Sequence, residues 1–313
     1  MSKTSPILKS LRESAGVRLA VLFFSFFVLL LFSSGISLFI NNLPYGDTRS
    51  HLLLTSVCQS VLAFCLPAFI LARFCSRSPI NWLKLNNPPT FKAILGVLIV
   101  YGISMPAMEW IIEWNQGIHF PEALSGIEST FRKWEETNES TTKILLEAHG
   151  LVPVLIGVLV IGVLTGFSEE LFFRGGLQGI FIRSSIKKSF AIWLAAFIFS
   201  VMHFQFFGFV PRLLMGAFFG YLLYWTKSIW IPVFAHVLNN SMVVITSAYS
   251  GDASLSLLDR ENPSLLLGNS LSVIASVALT VLFLWLCKNS MFKNNKSYKS
   301  VWRKSQLPRV SGK

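Results

Sequence analysis

Glu169, Glu170 and Arg174, then His203, then His236 and Asn240 interrupt long apolar runs in the second half of the chain. Ionisable groups inside hydrocarbon are costly, so they read first as a functional site. As a set they offer a carboxylate able to act as general base or acid, a second group to orient a water, and two donors for a developing oxyanion. Those are the parts needed to hydrolyse an amide.

Spacing assigns them to faces. Residues four apart share a helix face, which places Glu170 beside Arg174 and His236 beside Asn240. Glu169 is turned about 100° from Glu170, so the two carboxylates need not do the same job. Glu170 with Arg174 reads as a structural ion pair that lowers the cost of burying both; the other reading is that Arg174 grips a substrate carboxylate. Positions 165 and 173 hold Thr165 and Phe173, so Glu169 has no basic partner on its own helix. In a poorly solvated site such a carboxylate can act as base or acid near neutral pH; the ordinary alternative is a carboxylate wetted at the lipid interface. A lone histidine on an apolar helix is more often a hydrogen-bonded packing residue than a ligand. Seen with a glutamate and an asparagine at matching depth, the functional reading of His203 and His236 gains. At 1.5 Å per residue from the nearest basic loop, Glu169, His203 and Asn240 each lie roughly 20 Å deep, and His236 somewhat less. No Ser or Cys stands beside a histidine as a nucleophile, and Ser168 can back-bond within its helix.

The elements that must carry these residues are membrane helices. Of 313 residues, 53% are hydrophobic and 13% charged, against about 25% charged in soluble domains. Segments approaching the required length of about 20 residues occur at roughly 19 to 40, 52 to 73, 91 to 112, 151 to 182, 189 to 209, 211 to 226, 229 to 249 and 265 to 287. The first is too long for a signal-peptide core of about 7 to 15 residues and is expected to span. The segment from 211 is barely long enough. The segment from 151 is too long and is expected to run past the membrane surface. The fold class is therefore all-α, a polytopic bundle of about eight transmembrane helices.

The net charge of +12 does not point to nucleic acid, because the basic residues sit in short loops and in a tail from Lys288 to Lys313 that holds eight Lys or Arg and no acid. That distribution is topological. It predicts both termini in the cytoplasm of a cell (inner) membrane, with the lipid bilayer as a partner. The 113–150 stretch, acidic through Glu122, Glu128, Glu135, Glu136, Glu139 and Glu147, falls on the opposite side as a surface helix or a lid. Cys58, Cys65, Cys75 and Cys287 show neither metal spacing nor a disulfide framework. No repeat of the kind many transporters carry is evident, and nothing in the sequence bears on oligomeric state. The chain divides into N-terminal helices and the loop (1–150), the motif-bearing helices (151–249), and a last helix with the basic tail (250–313).

Written out, the clusters are Glu169-Glu170-Leu-Phe-Phe-Arg174, Phe199-Ser-Val-Met-His203 and His236-Val-Leu-Asn-Asn240. In order and spacing they resemble the EExxxR, FxxxH and HxxxN signatures of the CPBP family of intramembrane proteases, also called the Abi or CAAX prenyl protease 2-like family. The resemblance covers about residues 150 to 245. It implies an active site sunk inside the bundle and open to the cytoplasm, and a membrane-associated peptide or protein as substrate. By that likeness Glu169 activates water with His203, His236 and Asn240 stabilise the oxyanion, and Glu170, Arg174 and Phe199 support the site. The family has been labelled both metalloprotease and glutamate protease. There is no HExxH motif here; the preferred reading needs no cofactor, and the alternative is Zn²⁺ held by Glu169, His203 and His236. Two rival classes are a catalytically silent scaffold or bacteriocin-immunity protein of the same fold, and a proton-coupled transporter.

Overall fold

The computed structural model describes residues 13–250, 263–288 and 290. The basic N-terminal residues Lys3, Lys9 and Arg12, and nearly all of the basic tail, lie outside the described residues. Every regular element among the described residues is helical. α1 (Ala15–Asn41) and α2 (Thr48–Cys75) form a hairpin, followed by the short α3 (Pro79–Trp82) and by α4 (Phe91–Gln116). α5 (Ser125–Leu146) precedes α6 (Leu151–Arg183), α7 (Lys188–Val201), α8 (Phe209–Thr226), α9 (Trp230–Ser250) and α10 (Pro263–Cys287).

Helices α1, α2, α4, α6, α9 and the run Phe206–Thr226 that ends in α8 are long and apolar enough to cross a membrane; Lys188–Val201 and Ser270–Leu286 are shorter apolar helices. Each of the eight apolar segments of the sequence thus holds a helix, with six of clear spanning length. Local chemistry sets several boundaries. Asp47 caps α2 by accepting from Ser50 N at 2.7 Å, and Thr90 caps α4 by accepting from Ala93 N at 3.3 Å, each satisfying an otherwise orphaned N–H. Pro106 weakens the interior of α4. There the Ser276 hydroxyl of α10 inserts into the opened turn, accepting from Ala107 N at 3.2 Å and donating to Ile103 O at 2.5 Å. This polar repair fastens α10 to α4.

One expectation is corrected. The segment expected to span 189–209 ends its helix at Val201, because Phe204 turns the chain with a left-handed φ of 52°. His203 therefore stands on a turn, and the next membrane run starts earlier than expected, at Phe206. The far half of α6 is packed inside the helix bundle. Residues 170–182 are all buried, enclosed by Leu22 and Phe26 of α1, Ala63 and Leu71 of α2, Trp82 of α3 and Phe199 of α7. In lipid, apolar burial alone gives little drive for helix association, so close packing has to supply it. Here Phe172 meets Phe26 at 5.2 Å and Phe64 at 5.5 Å, and Phe173 meets Phe199 at 5.0 Å; such aromatic pairs contribute about 0.5–1.5 kcal/mol each beyond area burial.

Within the 113–150 stretch, α5 is an amphipathic surface helix. Phe131 stacks on Phe206 at 5.3 Å, and Trp134 meets Phe204 edge-on at 6.4 Å. Its apolar face thus grips the turn that carries His203. Glu128 accepts from Phe120 N at 2.7 Å, which holds its carboxyl below the usual range with help from Arg132.

Candidate active site

The two carboxylates sit on a five-residue α-helical piece of α6, Gly166–Glu170, between two π-helical stretches, Val158–Thr165 and Leu171–Leu177. Such wide turns re-aim side chains and occur often at functional sites. The first lets Thr165 donate to Val160 O, five residues back, at 3.1 Å. Gly166 is where α9 crosses closest to the carboxylates. A Cβ there would lie 3.3 Å from Val237 N and 3.4 Å from Val237 Cγ2, so a side chain at 166 would push α9, and His236 with it, away by a few tenths of an ångström.

Glu170 is fully buried and its Oε1 takes two partners: Arg174 Nη1 at 2.9 Å and His236 Nδ1 at 2.9 Å. The i,i+4 pair expected from sequence is thus joined by a histidine from another helix. Arg174, 1% exposed, also donates through Nη2 to Gly216 O at 3.1 Å, and its guanidinium lies over Phe199 at 4.5 Å and Phe219 at 5.3 Å. Gly216 makes that contact possible: a Cβ would lie 3.1 Å from Phe199 and 3.2 Å from Ala196, so α8 approaches α7 closely enough for its carbonyl to face Arg174.

His236 stacks on Phe219 at 5.1 Å and meets Phe199 edge-on at 6.0 Å. With Nδ1–H donating to Glu170, its Nε2 faces Glu169 Oε2 at 3.8 Å, too long for a hydrogen bond and near the outer limit of an ion pair. Phe199 also packs against His203 at 4.8 Å, touching both histidines and Arg174. His203 donates through Nδ1–H to Phe199 O at 2.8 Å, which leaves Nε2 for the site. Glu169 and His203 line one cavity of about 200 Å³, together with Ser56, Gln59 and Ser60 of α2 and Thr165 of α6.

Asn240 is the most peripheral of the anticipated residues. Its Nδ2 donates to Ile161 O at 3.2 Å and its Oδ1 accepts from Asn239 at 3.3 Å; this ties α9 to the first π-helical stretch. Among the described residues no group of three His, Cys, Asp or Glu side chains is gathered to hold a metal ion. Of the donors considered for Zn²⁺, Glu169 and His203 line the cavity, while His236 is held through Nδ1 by Glu170 with its Nε2 3.8 Å from Glu169 Oε2. Sequence reading missed the α2 wall of the cavity, although Ser56, Gln59 and Ser60, at i, i+3 and i+4, formed a polar stripe in an apolar run. It also missed Gly216 and Phe219, which carry no chemical signature of their own.

Residues 151–242 match the family "Rce1-like: Type II CAAX prenyl endopeptidase Rce1-like". Among curated proteins, the "Putative membrane peptidase YdiL" of Bacillus subtilis (strain 168) is 31% identical over 104 residues, covering 33% of this chain and 41% of that protein. The chain thus spans less than half the length of the curated relative it matches. No solved structure matches. The matched segment holds all three motifs and every residue that meets around Glu170, so the likeness to the Rce1-like CAAX prenyl endopeptidases covers the site itself.

Proposed function

We propose that the protein is an intramembrane endopeptidase that cleaves a membrane-associated peptide, such as a prenylated or leader-bearing one, with water activated by Glu169. The observation that carries this reading is the shared cavity: Glu169, 13% exposed and without a strong partner, faces it together with His203. At about 200 Å³ it has room for several waters of roughly 30 Å³ each. A water held between them gives a proton to the Glu169 carboxylate while its oxygen attacks the scissile carbonyl carbon. The carbonyl oxygen becomes an oxyanion. The proton then passes from Glu169 to the leaving nitrogen as the C–N bond breaks and the oxyanion collapses to the new carboxyl.

His236 stabilises the oxyanion through Nε2 when the ring carries both protons, and Glu170 holds that ring through Nδ1. Asn240 has a second amide hydrogen for the same task, its first being spent on Ile161 O. Arg174 holds the Glu170 carboxylate in place, and Phe199 spaces the two histidines. The basic loops support an orientation with both termini in the cytoplasm.

The test is purified protein in liposomes with farnesylated and unmodified membrane-proximal peptides, beside Glu169→Gln and His203→Ala, each with and without a zinc chelator. The proposal expects cleavage by the wild type, at least a thousandfold less by either variant (about 4 kcal/mol of barrier), and no effect of the chelator. Full activity in both variants sinks the assignment; loss in chelator alone moves the mechanism to a metal.

A further inference from the structure

The cavity wall opposite Glu169 comes from α2, outside the matched family segment, and is polar on one face. Two of its three polar residues are committed. Ser56 donates to Leu52 O at 2.8 Å and Ser60 shares a hydrogen bond with Thr165 at 3.2 Å. Gln59 is not: the residue is exposed, lines the cavity and makes no hydrogen bond to any described residue. It stands 11 residues after Thr48 and 16 before Cys75 in the α2 span, so about 16 and 24 Å from its ends at 1.5 Å per residue. At that depth an unpartnered carboxamide is expensive unless it faces a wet cavity or a polar ligand. The stripe also stops where the π-helical stretch Ser60–Cys65 begins, which turns the following residues to other faces.

We infer that Gln59 is a substrate-binding residue that pairs with the backbone of the peptide being cut, its carbonyl accepting a peptide N–H and its amide donating to a peptide C=O. This rests on the protease reading above. A carboxamide carries both functions side by side, which suits an extended segment whose own hydrogen bonds must be broken before its amide can be attacked. Recognition through the backbone leaves the side chains of the substrate unspecified, so the occupant is an unwound peptide segment and not a small solute.

The test uses an internally quenched farnesylated peptide ending in Cys-aliphatic-aliphatic-X, and an unmodified membrane-proximal peptide, with protein in liposomes. A set of analogues N-methylated at one backbone position each is made from whichever probe the wild type cleaves. Gln59→Leu, which suits a membrane helix, is expected to raise KM about tenfold with kcat within about twofold, and Gln59→Glu, which keeps size and acceptor but loses the donor, about threefold. One N-methyl position is expected to raise KM in the wild type and to cause no further rise in Gln59→Leu. Unchanged KM in Gln59→Leu, a fall in kcat alone, or equal N-methyl effects in both proteins would overturn the inference and leave the protease reading standing. If the wild type cleaves neither probe faster than Glu169→Gln, the protease reading falls and this inference with it.

Discussion

Removing the Glu170 carboxylate separates the stability of this site from its chemistry. Oε1 accepts from His236 Nδ1 and forms an ion pair with Arg174 Nη1, both at 2.9 Å, and the three residues are at most 5% exposed. Glu170→Ala strands a buried guanidinium, a change that costs about 3–5 kcal/mol. The lower end is expected, because Gly216 O and the faces of Phe199 and Phe219 still hold Arg174. Replacing the pair together, Glu170→Leu with Arg174→Met, removes the stranded charge and should recover most of that loss. What remains is an unsatisfied His236 Nδ1–H, about 1–3 kcal/mol. Equilibrium unfolding in mixed micelles, followed by tryptophan fluorescence, reads the stability; peptide cleavage reads the chemistry. The expected order of stability is wild type, double variant, Glu170→Ala, with cleavage lost in both variants because nothing holds His236. A Glu170→Ala protein within about 0.5 kcal/mol of wild type, far below the cost of a stranded charge, or a double variant with full cleavage, would refute the account of this cluster.

Gly166→Ala places a methyl 3.3 Å from Val237 N, and should cost about 1–3 kcal/mol and most of the activity as α9 moves from the carboxylates; the unfolding and cleavage assays check both. Asn115→Leu removes the bonds to Phe206 O at 3.2 Å and from Val210 N at 2.8 Å that fix the start of the membrane run after His203. A loss of about 2–4 kcal/mol is expected, seen as reduced stability and as faster proteolysis near residue 205. Lys84 lies outside the membrane runs, and burial, with repulsion from Arg183 and Lys227, pushes it down to about 7. Between about 7 and its unfolded value of 10.5 the unfolded chain binds the extra proton, so stability rises with pH over that window, by up to about 1.4 kcal/mol per unit. Lys227, lowered to about 8 by burial, adds to the upper part. Unfolding measured from pH 7 to 10 should show a shallower slope in Lys84→Met.

The parts of the site that were legible in the sequence are those written within one helix. Glu170 and Arg174 are four apart on one face, and the structure pairs them. The link from Glu170 to His236 joins residues on α6 and α9, and periodicity carries no information about which faces of two helices meet. His203 looked helical because Phe199 to Phe209 is mostly apolar, and hydropathy is blind to the left-handed φ of Phe204 that ends α7. The three motifs marked the family-matched half of the cavity. The other half comes from α2, where serine and glutamine have no catalytic signature and only their shared face set them apart.

The most direct test of water activated by Glu169 is cleavage of the farnesylated probe in heavy-oxygen water by wild type and Glu169→Gln, with mass spectrometry of the product and of the peptide containing Glu169. The account predicts one heavy oxygen in the new carboxyl of the wild-type product, none in the Glu169 side chain, and no product from Glu169→Gln. Equal product from the two proteins, or heavy oxygen incorporated into Glu169, would contradict it.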